Sequence, residues 1–165
     1  MAELTTLEEK LGEVTGLAMA AQGATDKIRR LVEDQGDTEL ASTLARMHNE
    51  AKETEERCTD VAGSLDGKKT AILEKAREVK REATEMMETY LGKHPEALEG
   101  LEFLTMAEAG EVGHWAIVQL LSEKGGVEEV IGLANWARPI QQRHLDEALR
   151  GSLKLAEAEE PNATH

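Results

Sequence analysis

Aromatic residues, cysteines and alternating strand patterns are scarce or missing in this sequence. Phe, Tyr and Trp together make up 2% of the 165 residues, and no run of β-branched residues alternates with polar ones. Without that alternation of period two, the sequence predicts no β-strand. The one cysteine, Cys58, has no partner for an internal disulfide, which is typical of a protein from a reducing compartment.

Clusters of basic residues and long apolar runs are also missing. The formal net charge is −14, and no group of Lys and Arg is dense enough to neutralise phosphates. We therefore expect no nucleic-acid partner and no binding to anionic membrane surfaces. No stretch is apolar enough to span a bilayer, and the residues from Met1 to Leu4 lack the basic start of a signal peptide. These features predict a cytoplasmic location.

Ala, Leu, Glu and Lys are abundant, and all four favour helix. Turn-forming residues divide the chain into five segments in which apolar residues recur every three or four positions. Because the turns are short, consecutive helices should run antiparallel. The sequence predicts an all-α, antiparallel up-down four-helix bundle plus one additional helix, the third. The turn signals are Asp34–Asp37, Asp66–Gly67, Gly92–Pro95 and Gly125–Gly126.

We expect one helical domain over residues 1–158, followed by a flexible C-terminal tail over residues 159–165. The fifth helix should run from Val127 to about Ala158. The spacing of apolar residues predicts an inward face for each helix. In the third helix this face would carry Ile72, Ala76, Val79, Ala83, Met86 and Tyr90, and in the fourth Leu101, Leu104, Glu108, Glu111, Trp115 and Val118.

Two of these inward positions on the fourth helix are acidic, and His114 lies one turn beyond Glu111. The fifth helix carries Gln141 and His144 on its own apolar face, again three residues apart. Both motifs lie about fifteen residues from the Gly125–Gly126 turn, so an antiparallel hairpin brings them to the same height. This count predicts that Glu108 faces His144 and that Glu111 faces Gln141. Buried carboxylates require a proton, a cation or a metal ion.

Carboxylate and imidazole groups at this spacing can ligate one metal ion. The candidate metal ligands are Glu108, Glu111, His114, Gln141 and His144, with Glu50 and Gln22 able to complete the shell after a small helix rotation.

These motifs resemble the ferritin-like superfamily of non-haem di-iron proteins, and within it a bacterial stress-associated branch of small five-helix proteins. The resemblance is carried by the mid-helix Glu-x-x-His at 111–114, by residues 48–57 and by residues 141–149. It implies bound iron or manganese and a role in stress or metal handling, with His114 and Glu50 retained as ligands. Gln22 and either Gln141 or Gln142 stand where the family places glutamates, which favours a single metal ion, or a lost one, over a complete di-iron centre.

A metal-free bundle is the alternative interpretation. In it the Glu, His and Gln residues form buried pairs that fix helix register, and the protein acts by association with itself or with another protein. A homodimer would cover the edges of the apolar faces. The metal-binding interpretation does not decide whether the protein is an enzyme, whereas the metal-free bundle would be non-catalytic.

Overall fold

The computed structural model describes residues 2–165, which form five α-helices and no β-strand. The prediction of an all-α chain is therefore confirmed. None of the described helices combines the length and apolar character needed to cross a membrane. The helices are α1 (Thr6–Asp34), α2 (Thr38–Ser64), α3 (Lys69–Leu91), α4 (Ala97–Gly125) and α5 (Glu128–Glu157).

The helix ends fall at the predicted turns because the flanking residues satisfy the free backbone groups there. Thr5 accepts a hydrogen bond from the backbone N–H of Glu8, whose side chain accepts one from the Thr5 N–H in return. Asp37 caps α2 by accepting from the N–H of Leu40. At the end of α4, Gly126 adopts a left-handed conformation with φ of 65°, which glycine tolerates without strain.

The core consists of two main apolar clusters at different heights along the helices. The first combines early residues of α1 and α5 with late residues of α2 and α4, such as Leu11, Val130, Cys58 and Trp115. The second combines late residues of α1 and α5 with early residues of α2 and α4, such as Ile28 and Leu101. On α4 and α5, Glu108, Glu111, Gln141 and His144 lie between the stretches that enter these clusters, so a polar layer separates the two apolar regions.

Helix α3 packs mainly against α1, touches α2 and α4 less, and within the described residues makes no contact with α5. Helix α1 packs against α2, α3 and α4, while α5 packs against α4 and α2.

The predicted inward face of α3 is wrong at its C-terminal end. Met86 and Tyr90 are exposed, and Met87 and Leu91 are buried instead. These two side chains cluster with Phe103 of α4. The buried face of α3 therefore shifts by one residue, because its last turns pack towards α4 as well as α1.

A pair of glycines on α1 brings α3 close. A Cβ atom placed on Gly12 would lie 2.9 Å from Cβ of Lys75, and one on Gly16 would lie 2.4 Å from the backbone oxygen of Ala76. The second separation is a clash with backbone that a side-chain movement cannot relieve. The missing Cβ atoms therefore set the α1–α3 distance.

We expect Gly16→Ala to destabilise the protein by about 1–3 kcal/mol, since the added methyl group forces α3 away from α1. Gly23→Ala is the matched control, because Gly23 is exposed on the same helix and its Cβ would meet nothing within 4 Å. The control should stabilise the helix by about 0.5–1 kcal/mol. Urea denaturation of both variants measures the difference, and equal effects would show that the two helices are not in close contact.

Candidate functional site: the mid-bundle polar layer

The polar layer is deeply buried at its centre. Glu108 is 1% exposed, His144 3%, Gln141 5% and Glu111 6%. Each lies on the inward face that the helical repeat predicts for α4 and α5, so the burial of these four side chains is confirmed. Glu50 on α2 borders the layer with its side chain 17% exposed.

Glu108 is held by two residues of α5. The side-chain amide of Gln141 donates a hydrogen bond to Oε2 of Glu108. Nδ1 of His144 lies 3.8 Å from the same oxygen. Burial raises the pKa of Glu108 to about 8, and the hydrogen bond from Gln141 opposes this rise. At neutral pH Glu108 is therefore mainly the uncharged acid, which suits a carboxyl group in an apolar interior.

His144 connects this pair to α2. Its Nε2 lies 3.6 Å from Oε1 of Glu50, yet that nitrogen is buried and has no hydrogen-bond partner among residues 2–165. Burial lowers the pKa of His144, while the charges of Glu50 and Glu147 oppose the shift. The imidazole is therefore favoured in its neutral form.

Two arginines neutralise the acids at the border of the layer. Arg46 of α2 contacts Oε1 of Glu50 and Oε1 of Glu147, each at 2.5 Å. Arg143 of α5 forms an ion pair with the other carboxylate oxygen of Glu50 and lies 3.8 Å from Glu147. Each guanidinium thus lies between a carboxylate of α2 and one of α5.

Arg46, Arg143 and Glu147 were not among the site residues predicted from the sequence. The signal was present, because Arg46 and Glu50, and Arg143 and Glu147, are each four residues apart and so face each other on one helix surface. The ion pairs between α2 and α5 were not predictable from spacing within a single helix.

The predicted contact between Glu111 and Gln141 is wrong, since Gln141 binds Glu108 instead. Residues three apart on a helix differ by about 60° around its axis. Both acids line a cavity that α1 and α3 complete, but only Glu108 also reaches Gln141 of α5. Burial, together with the nearby Glu108, raises the pKa of Glu111 well above its ordinary value.

His114 is also separate from the α5 residues. Its Nδ1 lies 2.8 Å from the Gly110 carbonyl oxygen, and its Nε2 lies 3.7 Å from Oε2 of Glu13 on α1. Gln22 donates to Oε2 of Glu55 at 2.5 Å, within the α1–α2 pair.

The predicted ligands thus divide into two groups. Glu108, Gln141, His144 and Glu50 come together, whereas Glu111 and His114 face α1 and α3. Among residues 2–165, no group of three or more His, Cys, Asp or Glu side chains is arranged to hold a metal ion. As a complete set, the six residues do not fit a di-iron centre.

Comparison of the chain with protein-family models, with curated proteins and with solved structures gives no match. The resemblance to the ferritin-like superfamily therefore stays a prediction.

We expect Glu111→Gln to change how stability depends on pH. A carboxyl group whose pKa is raised by folding keeps its proton in the native state after the unfolded chain has lost it. Stability therefore falls as pH rises from the ordinary value of about 4.5 towards the folded value. The variant should match the wild type near pH 5 and be more stable by roughly 1–3 kcal/mol near pH 8.

Denaturant unfolding at the two pH values measures this difference. His144, whose pKa shifts the other way, is present in both proteins and does not affect the comparison. Glu102→Gln is the control, because Glu102 is exposed on the same helix. An equal stability gap at both pH values would show that Glu111 is not held as the neutral acid.

Proposed function

We propose that this protein is a metal-free, non-catalytic helical bundle that acts by association with a second copy of itself. In this proposal α1, α2, α5 and α4 form an up-down four-helix ring, with α3 packed outside α1, and the polar layer fixes the register of the helices. The observation that carries the proposal is that the acids around His144 already have compensation within the chain. Glu50 and Glu147 pair with Arg46 and Arg143.

Register follows from the hydrogen bond between α4 and α5. If the two helices slid by one turn, Gln141 would leave Glu108 and both side chains would be buried without a partner. An unsatisfied buried polar group costs about 1–3 kcal/mol, so the layer disfavours such alternative packings. Single polar residues in apolar helix interfaces have this role in coiled coils.

The surface proposed for association lies along α4. We define the α4 stripe as Ala109, Gly113, Ala116, Ile117 and Leu120, which share one helix face because they are spaced by three or four residues apart from the adjacent pair Ala116 and Ile117. Leu120 is 65% exposed and Ile117 44% exposed. A Cβ on Gly113 would meet no atom of residues 2–165 within 4 Å, so no contact in the described part of the chain explains this glycine. Small residues at this spacing let a second helix approach closely.

The α4 stripe carries no exposed charge, which permits a second copy of the chain as the partner. Asp, Glu, Lys and Arg make up 32% of the chain, and the net charge of −14 makes two copies repel each other. Between Phe103 and Ser122, however, the carboxylates are Glu108 and Glu111, both buried, and there is no Lys or Arg. Two copies related by a twofold axis can therefore meet along the α4 stripe without opposing like charges.

We expect sedimentation equilibrium at micromolar concentration to show a dimer. The double variant Ile117→Glu with Leu120→Glu should be a monomer of unchanged helicity, because it places like charges across the interface. Leu153→Glu, on the exposed side of α5, is the control and should remain dimeric. A monomeric wild type, or an unchanged dimer in the double variant, would contradict the proposal.

Binding of a metal ion by fewer than the six predicted ligands is the second candidate function, and one observation favours it. Nε2 of His144 and Oε2 of Glu147 are both buried without a hydrogen-bond partner in the described chain. Nitrogen and carboxylate oxygen are donors that iron or manganese accepts, but among residues 2–165 these two atoms and Glu50 are not arranged as a metal-binding group of three. The two arginines oppose this candidate, since they compete with a cation for Glu50.

Calorimetric titration with Mn²⁺ and with anaerobic Fe²⁺ separates the two candidates. The metal-free proposal predicts no saturable binding and no rise in melting temperature with either ion. Stoichiometric binding that His144→Gln abolishes would establish the metal site instead. Glu111→Gln is the control, since Glu111 lies outside this smaller set of donors.

A further inference from the structure

A cavity of about 280 Å³ lies between α1, α3 and α4. Its wall is mostly apolar and made of small or flexible side chains. The apolar residues that line it include Ala20, Ala24, Ala83, Met87, Phe103 and Ala107. Alanines leave the space open, and methionines adapt to ligands of different shape.

Glu111 is the polar side chain in this wall whose bonding is incomplete. It is 6% exposed and makes no hydrogen bond or ion pair with any residue from 2 to 165. The other polar side chains of the wall have partners. Glu108 accepts from Gln141, and Thr84 donates to the carbonyl of Lys80. His114 lies between the Gly110 carbonyl and Glu13.

An apolar groove between α3 and α4 adjoins the cavity. Met86, Phe103 and Met106 line both, and Tyr90 extends the groove outwards. Met86 is 64% exposed and Met106 51% exposed. Such side chains in a strongly charged protein mark a surface that an apolar molecule can cross.

The charges around this path favour a cation. Glu82 and Glu85 line the groove, and among residues 2–165 no Lys or Arg lines either the groove or the cavity. An anionic ligand would meet these two acids and Glu111 without a Lys or Arg to pair with. A cationic group would instead be attracted by the acidic entrance and would find a carboxyl group free to bind it at the end of the path.

We propose that the cavity binds an apolar amine of about two rings, with its ammonium group on the carboxylate of Glu111. We infer the size of the ligand from the cavity volume, because a dry cavity of about 150 Å³ lined by apolar side chains holds one benzene molecule and this cavity is about twice as large. The ammonium group supplies the hydrogen-bond partner that Glu111 lacks. Because the buried carboxyl group is neutral beforehand, binding of the charged amine should release about one proton.

Three ligands that share one ring system test the proposal. They are 1-naphthylmethylamine, 1-naphthylmethanol and 1-naphthoate, which carry a cation, a neutral hydroxyl and an anion. Isothermal titration calorimetry at neutral pH and physiological salt, repeated in buffers of different ionisation enthalpy, gives both affinity and proton release. Wild type, Glu111→Gln and the control Glu102→Gln are compared. The control keeps the same net charge as the test variant, so it corrects for non-specific attraction of the amine.

The proposal predicts one amine per chain, bound more tightly than the alcohol, with no binding of the carboxylate. Glu111→Gln should weaken amine binding by roughly thirtyfold or more and remove the proton release, while Glu102→Gln should change neither. Equal affinity for amine and alcohol, unchanged amine binding in Glu111→Gln, or no binding of any of the three would overturn it. The cavity residues that hold the ligand lie outside the α4 stripe. Failure of the amine-binding proposal is therefore distinguishable from failure of the self-association proposal.

Discussion

The desolvation of carboxylates in the middle of an apolar helix pair is the constraint on which this structure depends. An ionised acid placed between the two apolar clusters would cost several kcal/mol unless a proton, a cation or hydrogen bonds compensate it. On the α5 side the chain supplies all three kinds of compensation. Gln141 binds Glu108, whose raised pKa keeps it protonated, and Arg46 and Arg143 bind Glu50 and Glu147.

Glu111, about 60° further around α4, lacks this compensation. It is one helical turn from Glu108, but it lies beside the small side chains of α1 and α3 and has no hydrogen-bond partner among residues 2–165. Its proton then substitutes for a counter-charge, which leaves an acid able to ionise when a cation arrives. A self-compensated layer that fixes register and an uncompensated acid beside a cavity are therefore two outcomes of the same constraint. The two outcomes differ because Glu108 and Glu111 point in different directions from the axis of α4.

Local signals in the sequence predict most of the fold. Capping residues and glycines give the helix ends, and the apolar repeat gives the buried face of α4 with its two acids. Contacts between helices are less predictable. The shift of the α3 face to Met87 and Leu91 depends on Phe103 of another helix. Gln141 contacts Glu108 and not the predicted Glu111 because of how the two helices are rotated about their axes. A count of residues from the turn gives height along the helix but not this rotation. The arginines of the layer lie on surface positions of α2 and α5 and matter only once those helices pack.

The central claim is that the buried acids of α4 are neutral and need no metal ion, and a carbon-13 NMR titration of the glutamate side chains tests it most directly. We predict a midpoint near 8 for Glu108 and a strongly raised midpoint for Glu111. Assignment by Glu108→Gln and Glu111→Gln identifies the two signals. If both instead titrate near the ordinary glutamate value of about 4.5, the acids are ionised in the folded protein and some other cation must compensate them.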